Sequence, residues 1–299
     1  MIKQLLNISQ NNPLKSYQST ADWAKDYYKL TKDKTPIDKA ILGGFSCQQF
    51  SFAFMAGYQT ALEIMFPLIA PNEIKALCVS ETKGVHPKSI QTTLINNRIN
   101  GLKTYVTAGS EVAHLLVLCK TDQTLNNRPV LKMVHLPRTA KNINITDFEL
   151  PFMKEVKHGK LQLNNTEITT NQILEGDGYD QYTKPFRTLE DICVSASYQA
   201  MLLRQAIDNQ WADDLRDQII LSIYTLKKLL ELSFSDQETI LLVAAHQQNF
   251  DRLLPEIELH IADHATSHFK ADWEINKRFL SMGQKLRRHR VAKARNSIF

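Results

Sequence analysis

The 299-residue chain has no Cys-x-x-Cys pair, and its four cysteines (Cys47, Cys78, Cys119 and Cys193) are scattered. Three of them lie in apolar or strand-like runs. Buried free thiols are therefore expected, and a zinc ribbon, a redox dithiol or a disulfide framework is not. The motifs of several large enzyme classes are missing. There is no Gly-x-Gly-x-x-Gly, no P-loop, no Gly-x-Ser-x-Gly elbow and no His-Glu-x-x-His. Dinucleotide-fold, nucleotide-triphosphatase, serine-hydrolase and zinc-protease readings fall with them. Glycine is absent from position 179 to position 282. Charge of one sign does not dominate: the formal net charge is +5, with acids and bases mixed. That balance is not the footprint of a nucleic-acid binder. No apolar run suits a membrane span. The longest, Phe50–Ala70, contains Gln59 and Glu63, has Gly57 within it and Pro67 near its end, so it reads as a buried core helix. Met1–Asn12 is polar and amide-rich rather than signal-like, and a cytoplasmic protein is expected.

What is present divides into three parts. Residues 1–74 read as helical. Ser19-Thr20-Ala21-Asp22 forms a helix start, with Trp23, Tyr27 and Leu30 on one face, and Pro36 opens a further segment. Gly43-Gly44 reads as a turn or a close helix contact, and a core helix follows over Phe45–Phe66. Residues 75–178 read as strands. ALCVSE, SIQTTLIN, LKTYVT and HLLVLCK are short apolar or alternating runs within Ala76–Asp122, and Pro129–His135, Ile143–Phe148 and Lys160–Ile168 follow. Asn96-Asn97 and Asn100-Gly101 fit tight hairpin turns. An antiparallel sheet domain, a small barrel or sandwich, is the expectation. Residues 179–299 read as a helical bundle. Thr188 is expected to cap its first helix, Ser235 to open the one at Asp236–Phe250, and Pro255–Arg295 to run as one long segment. The fold class is thus α+β: N-terminal helices, a central antiparallel β domain and a C-terminal bundle.

Two clusters in the bundle invite chemistry. His260, His264 and His268 recur at i, i+4 and i+8. Two such histidines can share one metal, but the third sits about 12 Å along the axis from the first. A polar helix face is the expectation, with no metal. Lys285, Arg287, Arg288, Arg290, Lys293 and Arg295 make the last segment basic, which reads as a solvated helix face.

The order of short motifs carries more. Cys78-Val79-Ser80-Glu81, a loop containing Gly84, Ile90-Gln91-Thr92, Asn100-Gly101-x-Lys103 and Tyr105-Val106-Thr107 together resemble the middle domain of the acyl-CoA dehydrogenases. Gly57-Tyr58-Gln59-x-Ala61-Leu62 is similar to the helix before that domain. Pro185-Phe186-x-x-x-Glu190 is similar to the entry of its helical C-terminal domain. The resemblance implies FAD-dependent oxidation of an acyl thioester or related small substrate by a homodimer or homotetramer. It places Ser80, Glu81, Gly84, Tyr105 and Thr107 at the FAD, and His86 at the substrate. The chain also departs from the family. Val85-His86-Pro87 replaces the usual Ser-Asp loop, and the Arg-x-x-Phe-Gly and Gln-x-x-Gly-Gly motifs are missing. The position expected of the catalytic base holds Met282, which takes no proton. Glu274, near Lys270, Lys277 and Arg278, reads as a solvated helix residue, so no base is assigned. The competing class is a family remnant that keeps the fold for binding or assembly without catalysis.

Overall fold

The structure, a computed structural model, describes residues 2–11, 13–281 and 284–298. Four helices come first: α1 (Ile2–Asn11), α2 (Thr20–Leu30), α3 (Pro36–Phe45) and α4 (Phe50–Met65). Ser19 caps α2, its side chain accepting from the Asp22 N–H, and this aims one face inward. Trp23 on that face is buried and stacks on Tyr27 and on Phe52 of α4.

Gly43 and Gly44 make a close helix contact, not a turn. Both lie in α3, which packs against α4 and the long helix α5 (Lys184–Asp208). A methyl group added at Gly44 would stand 2.0 Å from the Ser197 carbonyl oxygen, and one at Gly57 of α4 would stand 2.5 Å from Val194 Cα. Backbone faces backbone at both places, so nothing flexible can give way. Gly44→Ala is expected to destabilise the protein by about 1–3 kcal/mol through overpacking, read as a lowered melting temperature. An unchanged melting temperature would show that α3 does not press on α5.

The sheet has seven strands: β1 (Lys75–Cys78), β2 (Thr93–Ile95), β3 (Arg98–Thr107), β4 (His114–Leu125), β5 (Arg128–Pro137), β6 (Ile143–Phe148) and β7 (His158–Glu167). It is mixed rather than purely antiparallel. β5 covers one edge of β4, and β1 and β2 share the other edge, both parallel to β4. β3, β7 and β6 follow in antiparallel order. The outer strands β5 and β6 do not pair with each other among the described residues, so the sheet is open there and does not close as a barrel. The reason for the mixed order is length. The connection from β1 to β2 contains a 3-10 turn at Pro87–Ser89, which lets the chain re-enter beside β4 in its original direction. Asn96 and Asn97 both take positive φ (49° and 56°) in the β2–β3 hairpin. Asn100-Gly101 is not a turn. It lies inside β3 at a register shift, where a Gly101 side chain would strike Thr92.

A π-helical turn at Gly178–Thr183 leads directly into α5. Asp177 caps it, accepting from the Tyr179 and Asp180 N–H groups, so Thr188 falls within α5 and is not its cap. The bundle continues with α6 (Asp213–Leu229), α7 (Gln237–Asp251), α8 (Leu254–His264), α9 (Ser267–Asn276) and α10 (Gln284–Ile298). Asp236, not Ser235, caps α7. The expected single helix over 255–295 is broken at Ala265–Thr266, where Thr266 accepts from the Phe269 N–H and starts α9. His260 and His264 therefore belong to α8, and His268 to α9. No helix among the described residues is long and apolar enough to cross a membrane. All four cysteines are buried free thiols.

Candidate active site

A cavity of about 490 Å³ opens where the sheet, α4, α5 and α10 meet. Its sheet wall is made by the period-two alternation of β3, which places Tyr105 and Thr107 on one side. Ser80 joins them because the Thr104 N–H donates to its carbonyl at 2.8 Å. On the helical wall, Phe54 and Tyr58 come from α4. The Tyr58 hydroxyl accepts from the Leu77 N–H at 2.9 Å and ties α4 to β1 beside Ser80. The α5 side is a stripe at helical spacing: Phe186, Arg187, Glu190, Asp191, Val194 and Tyr198. Phe279, Leu286, Arg287 and Arg290 complete the enclosure from the end of the chain.

Three of the six residues singled out from the sequence line this cavity: Ser80, Tyr105 and Thr107. The other three stand elsewhere. Glu81 is buried behind the wall, where its carboxylate accepts from Lys103 Nζ (2.6 Å), Thr92 Oγ1 (2.7 Å) and the N–H groups of Gln91 and Thr92. Burial pushes the Glu81 carboxyl up, but these donors, Lys103 foremost, outweigh it and hold it below the ordinary glutamate value. Gly84 closes a tight turn with Glu81 at φ 100°. His86 is exposed, and its Nδ1 accepts from the Lys88 N–H. Val85 reaches the cavity in place of His86. Met282 lies outside the described residues.

The carboxyl and guanidinium groups of the cavity come from α5 and α10. Glu190 makes no hydrogen bond among the described residues. Burial, and then the neighbouring Asp191, push its carboxyl up to about 8, against the pull of Arg187, Arg287 and Arg290. Asp191, one residue on, accepts from Arg287 Nη1 at 3.0 Å and from Arg290 Nη1 at 3.4 Å. Of these two adjacent carboxyl groups, Asp191 is thus bonded to the arginines and Glu190 is not, among the described residues. His158 is held neutral by burial, its pKa lowered to about 4, and Nδ1 donates to the Val156 carbonyl, which leaves Nε2 as an acceptor. Burial pushes the Tyr105 phenol up to about 12. The Tyr198 hydroxyl and Gln199 Oε1, both in residues of the cavity wall, are buried without a hydrogen-bond partner among the described residues.

Sequence reasoning missed this acidic and basic set. Glu190 had a signal, since it closes the Pro185-Phe186-x-x-x-Glu190 run and shares a stripe with Phe186, Val194 and Tyr198. Nothing local shows that Arg287 and Arg290, about a hundred positions later, stand over it.

Neither a protein-family model nor a curated protein matches the chain. Solved structures do. The chain is similar to the prolyl acyl carrier protein oxidase AnaB (TM-score 0.70, 13% identity, 97% of this chain and 96% of that one). It is similar to butyryl-CoA dehydrogenase from Megasphaera elsdenii (TM-score 0.60, 12% identity, 90% and 85%). It is also similar to FMN-bound TdsC from Paenibacillus sp. A11-2 (TM-score 0.62, 12% identity, 92% and 82%). The chain has the acyl-CoA dehydrogenase-like fold that these proteins share.

Proposed function

We propose that this cavity is the active site of an FAD-dependent oxidoreductase that oxidises an acyl thioester, with Glu190 taking a proton from the substrate. One observation carries the reading. The Ser80, Tyr105 and Thr107 wall and the unpartnered Glu190 carboxyl face the same cavity from different layers of the fold. The likeness to an acyl carrier protein oxidase, an acyl-CoA dehydrogenase and an FMN-bound protein supports it.

The residues present fit a flavin. An isoalloxazine ring needs polar partners along one edge and an apolar surface beneath. Ser80 Oγ and Tyr105 Oη make no hydrogen bond among the described residues, so both remain available, and Val79, Tyr58 and Phe186 supply apolar surface. Ser80, Tyr105 and Thr107 would hold the ring. Bound FAD supplies the hydride acceptor. The chain supplies the rest. Glu190 takes the proton from the carbon next to the thioester carbonyl. Its surroundings favour the neutral form, so accepting that proton relieves a buried charge. Arg287 and Arg290 keep Asp191 occupied, so only one of the two carboxyl groups faces the substrate unpaired. Phe54, Phe186 and Phe279 exclude water from the proton being moved.

The test is uptake of FAD. Purified protein mixed with FAD and desalted is expected to keep the visible flavin absorbance. Ser80→Ala and Thr107→Ala should each weaken FAD binding by about tenfold, the loss of one hydrogen bond. A protein that leaves the column colourless would overturn the proposal.

A further inference from the structure

Two consecutive residues of α5, Tyr198 and Gln199, carry polar atoms that the fold leaves unsatisfied in the cavity wall. The residues are 4% and 1% exposed. The Tyr198 hydroxyl and Gln199 Oε1 have no hydrogen-bond partner among the described residues. Trp211 Nε1 and Trp273 Nε1 are buried in the same condition, but they belong to residues outside the wall. The Tyr198 ring is clamped in place. It stacks on Phe50 with centroids 4.2 Å apart and meets Phe279 edge-on at 6.2 Å. The polar neighbours in this part of the wall are already engaged. Ser195 Oγ donates to Gln247 Oε1 at 3.3 Å, and Gln247 Nε2 donates to Asp251 at 2.8 Å. Neither is bonded to Gln199.

A buried acceptor without a donor costs stability, and folds seldom keep one. Ligand cavities are the exception, because a few placed polar groups in an apolar wall orient what binds there. Burial, and then Asp272 and Glu190, push the Tyr198 pKa well above the ordinary tyrosine value, so the hydroxyl keeps its proton and can donate. Gln199 Oε1 accepts. One donor and one acceptor on adjacent residues match a group that itself accepts and donates, which is a hydroxyl or an amine. Position says where on the ligand that group belongs. Tyr198 lies about 12 Å further along the α5 axis than Glu190, at the helical rise per residue. With Glu190 at the reacting carbons, the matching group sits further out on the acyl chain.

We infer that Tyr198 and Gln199 select an acyl thioester whose chain carries a hydroxyl or amino group away from the thioester, over a plain hydrocarbon chain. The inference rests on the reading of the cavity as an acyl-thioester site and names the kind of acyl group it takes.

Matched coenzyme A thioesters test this by calorimetry, on wild type, Tyr198→Phe and Gln199→Met, each mixed with FAD beforehand. The γ-hydroxybutanoyl thioester is compared with pentanoyl. The ω-hydroxyhexanoyl and ω-aminohexanoyl thioesters are compared with heptanoyl. Each comparison exchanges a polar group for a methyl of similar size. Wild type is expected to bind the polar member of at least one set about tenfold or more tightly than its methyl counterpart. The variants should lose that preference and keep their affinity for the methyl member. Their melting temperatures without ligand should be no lower than wild type, because each change removes an unsatisfied atom and no bond. A structural role for the two side chains would lower them. A methyl member bound as tightly as its polar partners, or a preference unchanged in both variants, would overturn the inference and leave the thioester reading standing. Protein that binds none of the thioesters would overturn both. Protein that takes up no FAD yet discriminates through Gln199 would keep this inference and overturn the flavin reading.

Discussion

Glu190→Gln is expected to slow acyl-thioester oxidation by about 10²–10⁴-fold and to leave FAD uptake intact. The amide keeps the size and shape of the carboxyl but takes no proton. Because Glu190 makes no hydrogen bond among the described residues, the change orphans no partner in the wall. The wild-type pH profile follows from the same carboxyl, raised to about 8 by burial and by Asp191. A base works only when ionised, so the rate should rise about tenfold per pH unit below that value and level off above it. Stability should run the other way. The folded protein binds this proton more tightly than the unfolded chain does, whose glutamate keeps the ordinary value of 4.5. The contribution of Glu190 is therefore present below about 4.5 and declines as pH rises towards 8. Melting curves across that window should fall more steeply for wild type than for Glu190→Gln. A variant with wild-type turnover would remove Glu190 from the mechanism.

Breaking the ion pair behind the Ser80 wall should have the largest effect on stability. The Lys103 and Glu81 side chains are 0% and 3% exposed, and Lys103 Nζ also donates to the Leu118 carbonyl at 2.6 Å. Removing one partner leaves a buried charge unpaired, which costs about 3–5 kcal/mol. Glu81→Ala goes further, since the Gln91 and Thr92 N–H groups lose their acceptor as well. Urea unfolding should show the loss. FAD retention should fall with it, because Glu81 anchors the chain next to Ser80. A double change of Glu81 and Lys103 to apolar residues of similar volume should recover much of the stability. The depressed Glu81 carboxyl gives the opposite pH sign to Glu190. Its stabilisation is complete above the ordinary value of 4.5 and is lost as pH falls below that value. A Glu81→Ala unfolding free energy within about 0.5 kcal/mol of wild type would show that the pair is not structural.

Much of this fold is legible locally. The alternation over Ile143–Phe148 gives β6, and Asn96-Asn97 gives a hairpin because both residues tolerate positive φ. The signals that fail do so for nameable reasons. Strand direction is set by pairing across the chain, so nothing in ALCVSE says that β1 runs parallel to β4. Asn100-Gly101 has the composition of a turn, but Gly101 is needed for close approach to Thr92. Asn126-Asn127 makes the β4–β5 hairpin with φ of 49° and 57° and carries the same signal as Asn96-Asn97. Thr266, three residues before Phe269, is an ordinary cap that divides the histidine run.

The site divides the same way. Ser80, Tyr105 and Thr107, singled out because they sit in strand motifs with fixed order, line the cavity. Glu190 could not be singled out that way, because its chemistry is set by burial and by three arginines, two of them far away in sequence. The motif-based expectation looked for a base at Met282, near the chain's end, while α5 carries a carboxyl that faces the cavity.

The most direct test of the account is anaerobic addition of acyl thioesters to FAD-loaded protein while the flavin's visible absorbance is followed. Wild type should bleach in a single turnover, faster at pH 8 than at pH 6, and Glu190→Gln should hold its colour over the same interval. Equal bleaching by both proteins, or none by FAD-loaded wild type with any thioester tried, would contradict it.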